Sequence, residues 1–313
     1  VAWAATRCLA AQQEDDGDPQ ASLETIEALL GRLHGHDLAG IHLLELHLHR
    51  LQVLMSLGRY SQVVDACSRA QVLLERVLPS WGEFFRTTLH MEGAYCAVYL
   101  DPRPETAGRL LESLEPVDLP GTMRFIARSV RGELELTRGN VRTAALIQRV
   151  SLRYAGNWRS ILGSGSQWEL YILSMCLVTD VELSPDDAVE LDARAVRARA
   201  TSLLREILSD PAPLQRDIPT LMAFAAAVGL SAVAAEDAGS DRRAVGGELV
   251  ATALAVGTNQ TCRLLSHDYL RSRTERLDAR ALAQAEERIR SLDRGGLVAH
   301  AADLAGRLAG EVG

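Results

Sequence analysis

The sequence contains no lysine, so all 33 of its basic residues are arginine. This absence excludes a Walker A phosphate loop, a Schiff-base lysine and a lysine general base from the segment, because each of them needs a lysine amine. Aromatic residues are also scarce, at 4% of the chain, which argues against a cavity lined by stacked rings. Composition therefore disfavours several common kinds of active site.

Long basic runs and long apolar runs are missing too. The net charge is −8, which disfavours direct binding of nucleic acid, because backbone phosphates need a basic face. No apolar stretch is long enough to span a membrane, and no secretory signal is evident. The five cysteines are widely spaced and never form a CxxC pair, as expected for buried thiols in a reducing compartment. We therefore predict a cytoplasmic chain that binds neither membranes nor, by this segment, nucleic acid.

Apolar residues recur at i, i+3, i+4 and i+7 along almost the whole sequence, and alternating strand-like runs are essentially absent. This pattern predicts an all-α protein of about fifteen helices. The breaks between the helices contain Gly, Pro, Asp and Asn, which favour turns. The strongest break is the Asp-Pro-Ala-Pro segment at 210–213, which we take as a subdomain boundary.

Three segments repeat a helix, a glycine turn and a second helix, around Gly58, Gly139 and Gly239. A similar pair surrounds Asp101 and Pro102. Helices joined by such short turns are expected to be antiparallel neighbours. The pattern resembles the tetratricopeptide repeat, a helix pair in which small residues pack at defined positions on either side of the turn.

The small residues that this resemblance requires are present around two of the three turns. Aligned on the second turn, Gly132 and Ala144 occupy the positions where the paired helices touch. Around the third turn the corresponding residues are Ala232, Ala244 and Ala251. Around the first turn Tyr60 and Ala70 fit the pattern but Leu51 and Val63 depart from it, so the match is degenerate.

The irregular repeat lengths are most similar to the helical-repeat regions of LuxR-family ATPase regulators of the maltose-activator type and of related actinobacterial antibiotic regulators. The resemblance implies an α-solenoid of antiparallel helix pairs, a tetratricopeptide-like superhelix with a concave groove. It also implies that the ATPase and DNA-binding modules lie outside this chain. We predict capping helices at 1–37, tetratricopeptide-like repeats at 38–209, and further helical repeats with a cap at 214–313.

Five of the eight histidines lie in the stretch HGHDLAGIHLLELHLHR, residues 34–50. In the predicted helix, His42, Glu45 and His49 share one face, an arrangement considered for zinc. The two imidazoles are about 10 Å apart along the axis, too far to ligate one ion from a single helix face. A pH-dependent switch is a second interpretation. We favour a third, a polar strip that faces the groove, with His47 as a packed, hydrogen-bonded core residue. The polar strip consists of His42, Glu45, His49, Gln52 and Ser56.

The repeat register places one glutamate per repeat on the groove: Glu45, Glu92 and Glu133. None of them has an arginine four residues later in its helix. Tyr99 and Ser129 line the same predicted surface. Unpaired acids in a concave surface favour a cationic partner, so we expect a protein, peptide or small effector that carries a cationic group.

These features predict a non-catalytic sensor or interaction region of a cytoplasmic bacterial transcriptional regulator, without a metal or another cofactor. The alternative is an all-helical enzyme or an enzyme-associated scaffold domain. Its chemistry has little support in the sequence. The acidic cluster at 13–16 lies in a predicted loop, and the GSGS segment at 163–166 lacks the preceding strand that a phosphate loop requires.

Overall fold

The computed structural model describes residues 2–33, 40–77, 105–112, 121–162, 167–209, 218–235 and 239–310. Of these residues 87% are helical and none lies in a strand, so the all-α prediction is confirmed. The chain divides into two compact units, Val1–Arg138 and Gly139–Gly313. Within the described ranges, no helix combines the length and the apolar character needed to cross a membrane.

The first unit consists of consecutive helices that pack on their neighbours in the sequence. The helices described in it are α1 (Ala2–Asp15), α2 (Pro19–Leu33), α3 (Gly40–Ser56), α4 (Tyr60–Val77), α5 (Glu105–Glu112) and α6 (Gly121–Thr137). α1 packs on α2, α2 on α3, α3 on α4, and α5 on α6. The helix predicted over 81–100 lies outside the described residues.

Glycine in the left-handed conformation ends α3. Gly58 has a φ of 68°, and its N–H donates to the Met55 carbonyl at 2.9 Å. The N–H of Arg59 donates to the Leu54 carbonyl at the same distance. This Schellman arrangement satisfies carbonyls that the helix end leaves unbonded, and it favours glycine because other residues are strained at positive φ. The predicted turn is confirmed here and at Gly139, where φ is 82°.

Most of the described residues that form buried apolar core belong to the second unit. Its described helices are α7 (Val141–Leu162), α8 (Gln167–Asp180), α9 (Pro185–Glu190), α10 (Ala193–Ser209), α11 (Ile218–Ala234), α12 (Ser240–Val256), α13 (His267–Ile289) and α14 (Arg294–Gly310). A short 3₁₀ helix, Arg263–Leu265, precedes α13. Gly239, predicted as a turn glycine, is the N-cap of α12. The helices on both sides of the predicted boundary at 210–213, α10 and α11, belong to this one unit.

Two predicted stretches are divided differently in the structure. The helix predicted over 186–209 is interrupted at Asp192, which has a left-handed φ of 51°. The helices predicted over 260–273 and 277–292 are replaced by α13, which changes direction at Asp278. In both cases the aspartate carboxylate accepts a hydrogen bond from the backbone N–H three residues later, at 3.3 Å and 2.9 Å respectively. An aspartate in this position caps the next helical segment and so restarts the helix.

α11 is the most buried helix of the second unit, since every residue from Leu221 to Val233 is buried. It packs on α8, on α12 and, less extensively, on α10 and α13. Where α11 crosses α12, a Cβ added to Gly229 would lie 2.6 Å from the Gly246 carbonyl oxygen. The two helix backbones are therefore in direct contact.

The last helix returns to an earlier part of the second unit. α14 packs on α12 and also on α10, four helices before it. In a linear solenoid each repeat contacts only its neighbours. The contact between α10 and α14 therefore departs from the predicted superhelix within this unit.

The repeat register predicts that its small residues are buried. Gly132, Ala144, Ala232 and Ala251 are buried, and Ala244 is half-buried. This burial is confirmed for four of the five positions. The assignment of these helices to tetratricopeptide-like pairs stays a prediction.

Candidate functional site

Two residues of the polar strip of α3, Glu45 and His49, contact α1. Arg7 Nη1 donates to Glu45 Oε2 at 2.9 Å, and His49 Nε2 lies 2.5 Å from Glu14 Oε1. The hydroxyl of Ser22 in α2 also donates to Glu14 Oε1, at 3.0 Å. The expectation that Glu45 is unpaired is therefore wrong. Its arginine partner comes from another helix, which spacing within α3 cannot reveal.

The rest of the strip is partly open. The His42 side chain is 40% exposed, and its Nδ1 lies 3.5 Å from Glu45 Oε2. Gln52 is exposed. The Ser56 hydroxyl is half-buried and donates to the Val53 carbonyl at 2.8 Å. A ligand in the predicted groove would therefore reach only some of the strip.

His47 is half-buried, apart from these contacts. Burial lowers the pKa of its imidazole, and the charges of Arg50 and Arg69 lower it further. In the described part of the chain, Nδ1 of His47 and Nδ1 of His49 have no hydrogen-bond partner. The described residues contain no group of three His, Cys, Asp or Glu side chains that could hold a metal ion. His34 and His36 lie outside those residues.

Ser129 and Glu133 are both buried in α6. Their predicted position on an open groove is therefore wrong. On the helix they lie next to Val130 and Leu134, which are also buried. Glu92 and Tyr99 lie outside the described residues. The role of all these residues in ligand recognition stays a prediction.

A cleft of about 480 Å³ opens in the second unit. Its walls are the end of α8, the short helix α9, the start of α10 and the end of α11, and we call it the α8–α11 cleft. Its apolar lining includes Leu177, Val181, Leu183, Val189 and Ala234. Its polar lining consists of Asp180, Asp192, Arg194, Arg197 and Ser231. A mostly apolar wall with a few polar groups, at this volume, is typical of small-molecule sites.

A buried ion pair supports one wall of the cleft. Arg149 Nη2 in α7 donates to Asp180 Oδ2 at 2.8 Å, and the two side chains are only 10% and 6% exposed. Arg149 Nε also donates to the Leu191 carbonyl at 3.2 Å. Burial acts to lower the pKa of Arg149, but the hydrogen bond and charge of Asp180 outweigh it and raise that pKa. The pair therefore fixes α7 against both ends of the α9 segment.

Cys176 lies one turn before Asp180 on α8. Burial raises the pKa of its thiol to about 12. The thiolate is the reactive form of cysteine, so this thiol is unsuited to nucleophilic chemistry at neutral pH. We assign it to the packed interior behind the cleft.

α9 forms the outer wall of the cleft and buries none of its residues. The Ser184 hydroxyl accepts a hydrogen bond from the Asp187 N–H at 3.2 Å and so caps the helix. Arg142 of α7 donates through both terminal nitrogens to Glu190, at 2.8 Å and 2.5 Å, and also to Asp187. These bonds, first to Glu190 and then to Asp187, raise the pKa of Arg142. Surface ion pairs therefore hold α9 in place where core packing does not.

Two arginines of α10, three residues apart, line the opposite wall. Arg194 is exposed, and its guanidinium makes no hydrogen bond or ion pair with the described residues. Arg197 is half-buried, and its charge acts to lower the pKa of Asp180 against the larger, raising effect of burial. The two side chains give this wall a positive character.

The sequence predictions contain none of this cleft. Arg149 and Asp180 are 31 residues apart, on helices whose pairing cannot be read from spacing. The one local signal is Asp180 itself, an acid that ends the buried apolar run ILSMCLVT. An acid at the end of such a helix needs a partner, and the structure supplies it from α7.

No protein-family model matches the chain, and no curated protein or solved structure matches it either. The geometry of the α8–α11 cleft and the repeat pattern of the sequence are therefore the available guides to function.

Proposed function

We propose that this chain is a non-catalytic, ligand-binding helical region of a bacterial transcriptional regulator, and that it binds a small effector in the α8–α11 cleft. The observation that carries the proposal is the cleft itself, about 480 Å³ in volume and built from four helices of one compact unit. Such volumes are typical of pockets for small ligands, which lie between about 300 and 1,000 Å³.

The construction of the walls supports a binding role. One wall is rigid, because the Arg149–Asp180 pair joins α7 to the end of α8 inside the protein. The other wall, α9, is held only at the surface by Arg142. A fixed wall facing a loosely held one allows a ligand to enter and then be covered, which suits a sensor.

The regulatory context rests on the resemblance of the repeats. In the first unit α1 and α2 are antiparallel, and so are α2 and α3, as in stacked helix pairs. Two hydrogen bonds at each contact show this order. Glu14 pairs with Ser22 and Gln13 with Thr25 between α1 and α2. Gln20 pairs with Arg59, just past α3, and Glu27 pairs with Arg50 in α3. We propose that these helices begin a tetratricopeptide-like superhelix that supplies an interaction surface.

Filling the cleft tests the proposal. Ala188 lines the cleft and is only half-buried, so Ala188→Trp occupies the space without disturbing the core. Ala283→Trp, on the exposed face of α13 in the same unit, is the matched control. A small-molecule screen by thermal shift, followed by calorimetry, is expected to find ligands that bind the wild type and the control but not Ala188→Trp.

Two outcomes would reject the proposal. One is the absence of any ligand for the wild-type protein. The other is a set of ligands that bind Ala188→Trp with unchanged affinity. Recovering the ligand after incubation distinguishes the proposed sensor from the alternative, an all-helical enzyme. An effector is recovered unchanged, whereas a substrate is converted.

A further inference from the structure

We infer that the α8–α11 cleft selects a small amphipathic carboxylate, with its anionic group on the Arg194 side and its hydrocarbon part along the apolar wall. The inference rests on the proposed function, because it names the class of effector for the same cleft. It follows from the balance of charge in the lining and from the position of the exposed apolar residues.

The acids of the cleft already have partners within the protein. Asp180 Oδ2 accepts the hydrogen bond of Arg149 at 2.8 Å, and its other oxygen, Oδ1, has no hydrogen-bond partner among the described residues but is buried. Asp192 Oδ1 accepts the N–H of Ala195 at 3.3 Å, at the start of α10. Asp180 is therefore neutralised and buried, and Asp192 is the one exposed acid of the cleft lining.

The cleft lining contains two arginines, Arg194 and Arg197, and two acids, Asp180 and Asp192. Arg149, behind the lining, neutralises Asp180, which leaves the two arginines against Asp192. The guanidinium of Arg194 makes no ion pair with any described residue and is exposed at the cleft. An arginine fork in this setting matches a carboxylate, which it can bind through two N–H groups.

The apolar lining continues to the mouth of the cleft. Val189 of α9 lines the cleft and is 83% exposed. Leu183 and Ala188 precede it along the same wall, and Ala234 lies on α11. A hydrocarbon chain that covers these groups removes apolar surface from water, at about 25 cal/mol per Å². The cleft therefore offers both parts that an amphipathic anion needs.

Three probes of equal chain length test the inference: octanoate, octan-1-ol and octylammonium, titrated calorimetrically at constant ionic strength. Octanoate is expected to bind at least about tenfold more tightly than either of the others. Arg194→Gln is expected to weaken octanoate binding by roughly tenfold and to leave octan-1-ol binding unchanged. Arg194→Lys, which keeps the charge, is expected to retain part of the affinity.

Arg205→Gln is the control, since Arg205 is exposed on the same helix outside the cleft lining. Circular dichroism of each variant verifies that it is folded. The carboxylate inference is overturned if octan-1-ol or octylammonium binds as tightly as octanoate, or if Arg194→Gln leaves octanoate binding unchanged.

The Ala188→Trp variant separates failure of the inference from failure of the proposed function. If octan-1-ol or octylammonium binds as tightly as octanoate and Ala188→Trp abolishes that binding, the cleft is a binding site for another class of molecule. If neither these probes nor the wider screen yields a ligand, both the inference and the proposed function are wrong.

Discussion

Gly229 and Gly246 pack backbone against backbone where α11 crosses α12. A Cβ on Gly229 would lie 2.6 Å from the Gly246 carbonyl oxygen, and a Cβ on Gly246 would lie 2.7 Å from the Gly229 carbonyl oxygen. Side-chain carbons do not approach carbonyl oxygens so closely in folded proteins. Helices at this separation therefore require glycine at both positions, and the separation sets how deeply α11 is buried.

The first expected effect follows from this contact. Gly246→Ala should destabilise the protein by about 1–3 kcal/mol, because the added methyl group overpacks a contact between two backbones. Gly306→Ala in α14 is the matched control, since nothing lies within 4 Å of its added Cβ. That variant should gain about 0.5–1 kcal/mol from the better helix propensity of alanine. Urea unfolding of the two variants measures the difference; equal stability would show that α11 and α12 are farther apart than described.

Loss of one partner of the buried ion pair should be more damaging than loss of both. Asp180→Leu leaves the Arg149 guanidinium buried without its partner and should destabilise the protein by about 3–5 kcal/mol. The double variant Arg149→Met with Asp180→Leu should be more stable than Asp180→Leu alone, because it leaves no buried charge. Thermal unfolding of the wild type, of Asp180→Leu, of Arg149→Met and of the double variant gives the comparison. Additive effects of the two substitutions would show that the pair is not coupled.

His267 should make stability depend on pH in the mildly acidic range. Its Nε2 accepts the Thr258 N–H at 3.2 Å, which requires a ring without a proton at that atom. Burial lowers its pKa below 6.5, against the smaller opposing effect of Asp268. The unfolded chain therefore takes up the proton more readily than the folded one. The contribution is fully present above about pH 6.5 and is lost as the pH falls through the lowered pKa of the folded state.

Denaturation midpoints between pH 7.5 and 5 measure this effect. The midpoint of the wild type should fall as the pH decreases, and the fall should be smaller in His267→Gln. Ser272→Ala, an exposed position on the same helix with no titrating group, should retain the full decrease. An identical pH profile in His267→Gln would assign the dependence to other groups, among them His47, whose pKa is also lowered.

The ion pairs that attach α9 should affect the local stability of α9 but not the stability of the whole protein. Arg142→Gln removes the ion pairs to Asp187 and Glu190, so the backbone amides of α9 should exchange with solvent faster. The denaturation midpoint should stay nearly unchanged, because these pairs lie at the surface. Arg153→Gln, an exposed position three turns later on α7, is the control. Unchanged exchange in Arg142→Gln would mean that other contacts hold α9.

The helices could be read from the sequence because their signals are local. The positive φ at Gly58 and Gly139 coincides with breaks in the apolar periodicity, and both features lie within a few neighbouring residues. The interruption at Asp192 departs from the single helix predicted over 186–209, because no glycine or proline marks it, although aspartate favours caps and turns over helix interiors. In the structure, the left-handed φ of 51° at Asp192 marks the interruption.

The site could not be predicted in the same way, because its contacts join distant parts of the chain. The register that put Glu45 and Glu133 on one groove assumed that polar residues of inner helices face solvent. Instead Glu45 binds Arg7 and Glu133 is buried. The α8–α11 cleft depends on Arg149 meeting Asp180, and no rule of spacing along a single helix relates residues 31 positions apart.

The contact between α14 and α10 limits how the second unit can be altered. A linear repeat array can be lengthened or shortened by one repeat, because each unit interacts only with its neighbours. Here α14 packs on α10, four helices before it, and on α12, so its removal would expose the faces of α10 and α12 that it covers. The C-terminal residues must therefore be synthesised before this unit can close. Its folding should be a single, all-or-none step that waits for the end of α14, and a circular permutant that cuts within α14 should fail where one that cuts in an exposed turn succeeds.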